Sequence, residues 1–179
     1  MSEDKKEPWL NYLALTTVIL AVCATLSTFK GGGYSTRSVI AQAQASDQWA
    51  YYQAKSTKEG IYDLQKQKLE LELANLPANA PANVKENYQK AIDKVAAGVK
   101  KYDDEKSGIQ TQAKQLEADR DDAKRHSAPF GFAVIFLQVA ILISSIAGLL
   151  KRKIIWQLAL PVGLIGLVYF ADGFFLFLK

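Results

Sequence analysis

Two apolar runs, residues 129–150 and 154–178, are separated by three residues, and all three are cationic: Lys151, Arg152 and Lys153. Each run is long enough to cross a hydrocarbon core of about 30 Å as a helix, and a connection this short forces the two helices to be neighbours. A membrane hairpin follows. Cationic residues in a short loop between spans are retained on the cytoplasmic side, so Lys151, Arg152 and Lys153 are the topology determinants of the chain.

Composition supports this only once it is read locally. The 179 residues are 49% hydrophobic and 22% charged, values that would suit a soluble domain. The two classes are segregated, however: apolar residues gather in the first thirty and last fifty positions, and Lys, Gln, Asp, Glu and Ala fill the middle. The formal net charge of +4 is spread over stretches of mixed sign, which is a weak argument for a nucleic-acid partner, and with no RNA- or DNA-binding motif none is expected. Cys23 is the only cysteine and lies in an apolar run, so no intrachain disulfide forms.

A polar tail, residues 1–8, precedes a third apolar run, 9–29, whose 21 residues carry no charge and span about 31 Å as a helix. A cleaved signal peptide competes for this segment. The length of the run and the mixed charge of the tail favour an uncleaved span. Gly31, Gly32 and Gly33 lack the lysine and hydroxyl residue of a phosphate loop and read as a hinge at the membrane exit.

Residues 34–125 read as an antiparallel helical hairpin with its tip at 77–83, where Pro77 and Pro81 break the helix. Asn83, with Glu86 three residues on, fits an N-cap and capping box for the second arm. On that arm Tyr88, Ile92, Val95, Val99, Tyr102, Lys106, Ile109, Ala113, Leu116, Arg120 and Ala123 alternate by four and three. Nine of the eleven are apolar or aromatic, which marks a packing seam. On the first arm the same alternation falls on Val39, Ala43, Ser46, Ala50, Gln53, Thr57, Gly60, Leu64, Gln67, Leu71 and Ala74, a thin seam of mostly small residues. Trp49, Tyr51, Tyr52, Ile61, Tyr62 and Leu69 lie off it and are expected to serve self-association.

The expected fold class is therefore an all-α membrane protein, with three transmembrane helices and a long coiled-coil-like hairpin outside the bilayer. Counted over short segments, Lys5, Lys6 and the 151–153 loop outweigh Lys179, which places the N-terminus in the cytoplasm and the hairpin on the exoplasmic or periplasmic side. Lys30, Arg37, Arg120, Lys124 and Arg125 at the base of the hairpin favour the reverse, a cytoplasmic hairpin.

Few residues suggest chemistry. Asp172 is the one ionisable residue well inside an apolar run, and an intramembrane carboxylate is costly enough to suggest an ion or proton path. The competing reading is an interfacial or helix-ending role. Its prospective partners in the other spans, Gln138, Ser144, Ser145, Thr16 and Thr17, are neutral. His126, the only histidine, has no second His or Cys near it in sequence, so no metal ligand set and no cofactor site is expected. No nucleophile stands near a candidate base, and no enzyme is expected.

Residues 9–55, and especially the peptide 45–55, Ala-Ser-Asp-Gln-Trp-Ala-Tyr-Tyr-Gln-Ala-Lys, resemble an uncharacterised bacterial membrane family, domain-of-unknown-function family 4337. The layout of one span, a helical polar region and a terminal pair of spans agrees along the whole chain. The resemblance implies a bacterial envelope location and carries over no catalytic residue; the membrane expected is the inner one. It points to Asp47, Gln48, Trp49, Tyr51 and Tyr52 as an oligomer or partner contact. The expected function is a non-enzymatic, homo-oligomeric scaffold or accessory protein whose partners are the bilayer, further copies of itself and an unidentified membrane protein. The alternative is a small ion channel or transporter subunit using Asp172.

Overall fold

The structure is a computed structural model that describes residues 8–178; the tail residues 1–7, with Lys5 and Lys6, and Lys179 lie outside the described residues. Three helices account for nearly all of it: α1 (Pro8–Ala74), α2 (Ala82–Leu149) and α3 (Lys153–Phe175). Each contains a stretch long and apolar enough to cross a membrane. The chain divides into two compact units, Met1–Ile40 with Asp119–Lys179, and Ala41–Ala118.

In the first unit three apolar helices pack through small residues. Leu20, Ala24, Ala133, Leu137 and Ala140 form its buried cluster, with Val162, Leu167 and Phe170 of α3 against it. The small positions of α3 are what admit these neighbours. A Cβ on Gly166 would lie 2.8 Å from Leu137 Cγ, and one on Gly163 would lie 3.1 Å from Leu20 Cδ1. In a membrane, where lipid is as apolar as leucine, such close approach and the dispersion contacts it creates hold helices together. The three glycines at 31–33 do not act as a hinge: α1 runs through them unbroken, and a Cβ on Gly31 would stand 2.9 Å from Cβ of Phe130. Gly31 is thus a contact point between α1 and α2.

Pro129 likewise begins no new helix; it lies within α2. A proline there has no N–H to offer the carbonyl of Arg125, one turn earlier. The loop after α2 closes as a Schellman turn, with Arg152 N–H donating to Ala147 O (3.1 Å) and Lys151 N–H to Gly148 O (3.3 Å). Lys151 has φ 50°, the left-handed conformation that glycine usually supplies, at a cost of roughly 1–2 kcal/mol. Near this loop Trp9 and Trp156 pack with ring centroids 6.3 Å apart, and Trp156 donates from Nε1 to Thr16 Oγ1. Tryptophan beside a cationic loop is the composition of a membrane–water boundary.

In the second unit the arms pair antiparallel, and the first arm uses not the expected stripe of small residues but the face carrying Tyr52, Tyr62 and Leu69, residues expected to serve self-association. The expected second-arm seam is correct: Ile92, Val95, Ile109 and Ala113 are buried, and Tyr88, Val99, Tyr102, Lys106 and Leu116 half-buried. The first-arm stripe from Ala43 to Ala74 is exposed at every position. The facing positions are instead Ala41, Ala45, Gln48, Tyr52, Lys55, Glu59, Tyr62, Lys66 and Leu69, two residues out of register and so about 200° around the helix. Charge decides the choice. Lys55 Nζ stands 2.6 Å from Glu105 Oε2, and Lys106 pairs with Glu59, so the arms are joined by crossed ion pairs along the seam. The tip is a turn in which Ala80 N–H donates to Pro77 O, and α2 opens at Ala82, before the expected cap Asn83, with the Pro81 carbonyl accepting from Val84 N–H.

Candidate functional site

The expected contact peptide divides by face. Gln48, Trp49 and Tyr52 turn toward the second arm, whereas Asp47 and Tyr51 face outward. Trp49 donates from Nε1 to Glu117 Oε1 (2.9 Å) and meets Tyr52 edge-on at 5.6 Å. Tyr52 lies under the Lys106 ammonium at 5.8 Å, and Tyr51 under that of Lys55 at 5.0 Å. These aromatic rings therefore lend their faces to the lysines that cross the hairpin. The hydrogen bond from Lys55 holds the Glu105 carboxyl below its ordinary range, and Glu105 in turn raises Lys55. Glu59 raises Lys106 in the same way.

Asp172 is 2% exposed, near the end of α3. Its backbone carbonyl accepts from Leu176 N–H (2.8 Å), and its side-chain Oδ1 accepts from Leu178 N–H (2.6 Å). Leu176 takes a left-handed conformation (φ 50°), so α3 stops at Phe175 and the chain folds back over the carboxylate. An apolar run to Leu178 predicts three more helical residues; a buried acid that accepts a main-chain donor ends the helix sooner. The hydroxyls expected nearby are engaged elsewhere: Thr16 and Thr17 donate to Leu13 O, and Ser145 to Ile141 O.

Asp172 opens on a cleft of about 840 Å³ lined by Arg125, Ala128, Pro129, Phe132, Tyr169, Leu176 and Leu178. The two oxygens differ: Oδ1 accepts from Leu178 N–H, while Oδ2 accepts no hydrogen bond among the described residues. Arg125 forms no ion pair with Asp172 within 4.0 Å. Next to the cleft, His126 with its proton on Nδ1 donates to Gly173 O (2.8 Å) and stacks on Tyr34 at 4.8 Å. Ser127 donates to Gly31 O (3.1 Å), and Phe130 meets Phe174 edge-on at 5.0 Å. His126 is thus a structural tie among the three helices. Sequence spacing gave no signal for this tie, because Gly173 on α3 is 47 residues from His126.

At the other end of the apolar helices Lys151, Arg152 and Lys153 are exposed. Among the described residues no group of three His, Cys, Asp or Glu side chains is placed to hold a metal ion.

Fold and site define an all-helical protein with three helices apolar enough to span a membrane, one of which carries a buried carboxylate at a cleft. The family profile described as Domain of unknown function (DUF4337) matches residues 9–176, and the chain belongs to that family. No curated protein and no solved structure matches it.

Proposed function

We propose that the protein is a non-enzymatic, homo-oligomeric membrane scaffold or accessory protein whose helical hairpin lies outside the bilayer and associates with a second copy. One observation supports this above others. The stripe Ala43, Ser46, Ala50, Gln53, Thr57, Gly60, Leu64, Gln67, Leu71 and Ala74 alternates by four and three, carries no charge and is exposed throughout. It covers about 46 Å of helix opposite the seam already used by the second arm. Leu64 and Leu71, each more than 60% exposed, stand seven residues apart as knobs of a coiled-coil register, and small residues between them offer the holes. A face of that kind is self-complementary, since two copies bring together no like charges and the leucines of one can enter the small-residue holes of the other.

Light scattering of the full chain in detergent tests this. More than one copy per particle is expected, and Leu64→Glu with Leu71→Glu is expected to give monomers of unchanged helicity; a monomeric wild type defeats the proposal. The location we propose is a bacterial inner membrane with the 151–153 loop cytoplasmic and the hairpin exoplasmic. With Cys23 replaced by Ser, a cysteine at Asn79 should label from outside the cell and one at Arg152 only after permeabilisation; the opposite pattern means a cytoplasmic hairpin.

The second reading is a channel or transporter subunit with Asp172 in its path, and it draws on the burial of that carboxylate beside an open cleft. Reconstituted Asp172→Asn with the ion flux of wild type removes it.

A further inference from the structure

The cleft at the end of α3 presents an acid and a base that do not satisfy one another. Oδ2 of Asp172 accepts no hydrogen bond among the described residues, and the Arg125 guanidinium, which lines the cleft from α2, makes no ion pair with it. A carboxylate at a largely apolar site requires a donor on its open side. The rest of the lining includes Phe132, Tyr169, Leu176 and Leu178. The complementary ligand carries a cation and an anion a few ångströms apart on an apolar body.

The position of the cleft narrows the class. On α2 the lining begins at Arg125, the last member of a charged stretch, and continues into the apolar run that starts at 128–129. Resting on the reading of the three apolar stretches as membrane spans, this is the depth of lipid headgroups.

We propose that the cleft binds a zwitterionic phospholipid whose headgroup ends in a primary ammonium. The ammonium donates to Asp172 Oδ2, the phosphate accepts from the Arg125 guanidinium, and the upper acyl chains lie on Phe132, Leu176 and Leu178. Headgroup selectivity follows from the acid. A quaternary ammonium has no N–H to give Oδ2, and an anionic headgroup without an amine leaves the buried carboxylate unpaired beside a negative phosphate. Binding then couples to the end of α3, because Leu178 N–H holds the other oxygen of the same carboxylate.

Native mass spectrometry of the delipidated full chain, titrated with phosphatidylethanolamine, phosphatidylcholine and phosphatidylglycerol of identical acyl chains and with free phosphoethanolamine, tests this. Phosphatidylethanolamine is expected to bind at least ten-fold more tightly than the other two lipids and than the free headgroup. Asp172→Asn should bring it within about three-fold of phosphatidylcholine, and Arg125→Gln should weaken both about equally. Equal affinity for the three lipids overturns the proposal, as does a preference that survives Asp172→Asn. Free phosphoethanolamine binding as well as the lipid overturns it in favour of a soluble ligand. Should Asp172→Asn lose its helical circular dichroism, the wild-type lipid series and Arg125→Gln decide, and unchanged phosphatidylethanolamine affinity in Arg125→Gln is then a refutation.

Discussion

Gly98 gives the sharpest test of the hairpin register. The ring of Tyr62 lies against the Gly98 backbone so closely that an added Cβ would overlap it, and the ring of Tyr102, one turn on, packs on Tyr62 with centroids 5.5 Å apart. Alanine at a helix-interior glycine ordinarily gains about 0.8–1.0 kcal/mol. Overpacking costs about 1–3 kcal/mol, so Gly98→Ala is expected to lose about 1 kcal/mol net. In a Tyr62→Ala background the overlap disappears and the same change should gain about 1 kcal/mol, an interaction energy of about 2 kcal/mol. For a chain of this size 1 kcal/mol moves the midpoint by about 2–4 °C, so thermal unfolding in detergent followed by circular dichroism resolves both signs. Gly108 has nothing within 4 Å of an added Cβ, and alanine there should raise the midpoint. If Gly98→Ala stabilises as much as Gly108→Ala, the first arm presents the other face and the packing described above is wrong.

Two further outcomes are expected. Glu105, whose carboxyl Lys55 holds below its ordinary value of 4.5, contributes stability above that value and loses it as pH falls through the lowered one; Lys55 and Lys106, raised above 10.5, contribute below 10.5 and lose it as pH rises through the raised values. The unfolding midpoint should therefore be flat between roughly pH 5 and 10 and sag at both ends, and Glu105→Gln should show a lower plateau with a shallower acid limb; an identical acid limb removes the pair from the account. In the apolar unit, a Cβ at Gly166 would lie 3.0 Å from Leu137 N, a backbone atom that cannot rotate away, whereas Gly131 has open space. Gly166→Ala should therefore lower the midpoint in detergent and Gly131→Ala should not; equal midpoints would show that α2 and α3 do not approach this closely.

How much of this was legible in the sequence differs between the two arms of one hairpin. The second arm buries what is apolar, so its period reads directly from Ile92, Val95, Ile109 and Ala113. The first arm buries Lys55 and Glu59 along their stems and leaves Leu64 and Leu71 outside, so the four-three alternation of uncharged residues lies on the wrong face. A search for oppositely charged residues at seam positions of both arms would have found the register, since Lys106 already lies in the second-arm alternation. Asp172 was visible as an anomaly in an apolar run. What it faces was not, because Arg125 and His126 are brought beside α3 only by the packing of α2, and because the carboxylate meets Leu178 N–H only where the chain turns at Leu176.

The inward face of α3 consists of Ala159, Gly163, Gly166, Asp172 and Gly173, while Ile154, Leu158, Leu164 and Phe175 point away. At its glycines the projecting side chains belong to the other two helices: Leu20 from α1, Leu137 and Phe130 from α2. Tolerance to substitution is consequently one-sided. Trimming a projection on α1 or α2 leaves a void that its neighbours partly refill, whereas enlarging the flat side of α3 has nowhere to be absorbed except by moving the whole helix. Sequence drift in such a bundle is therefore expected to run freely on the lipid side of α3 and in small steps on its partners, and to stop at its inner face.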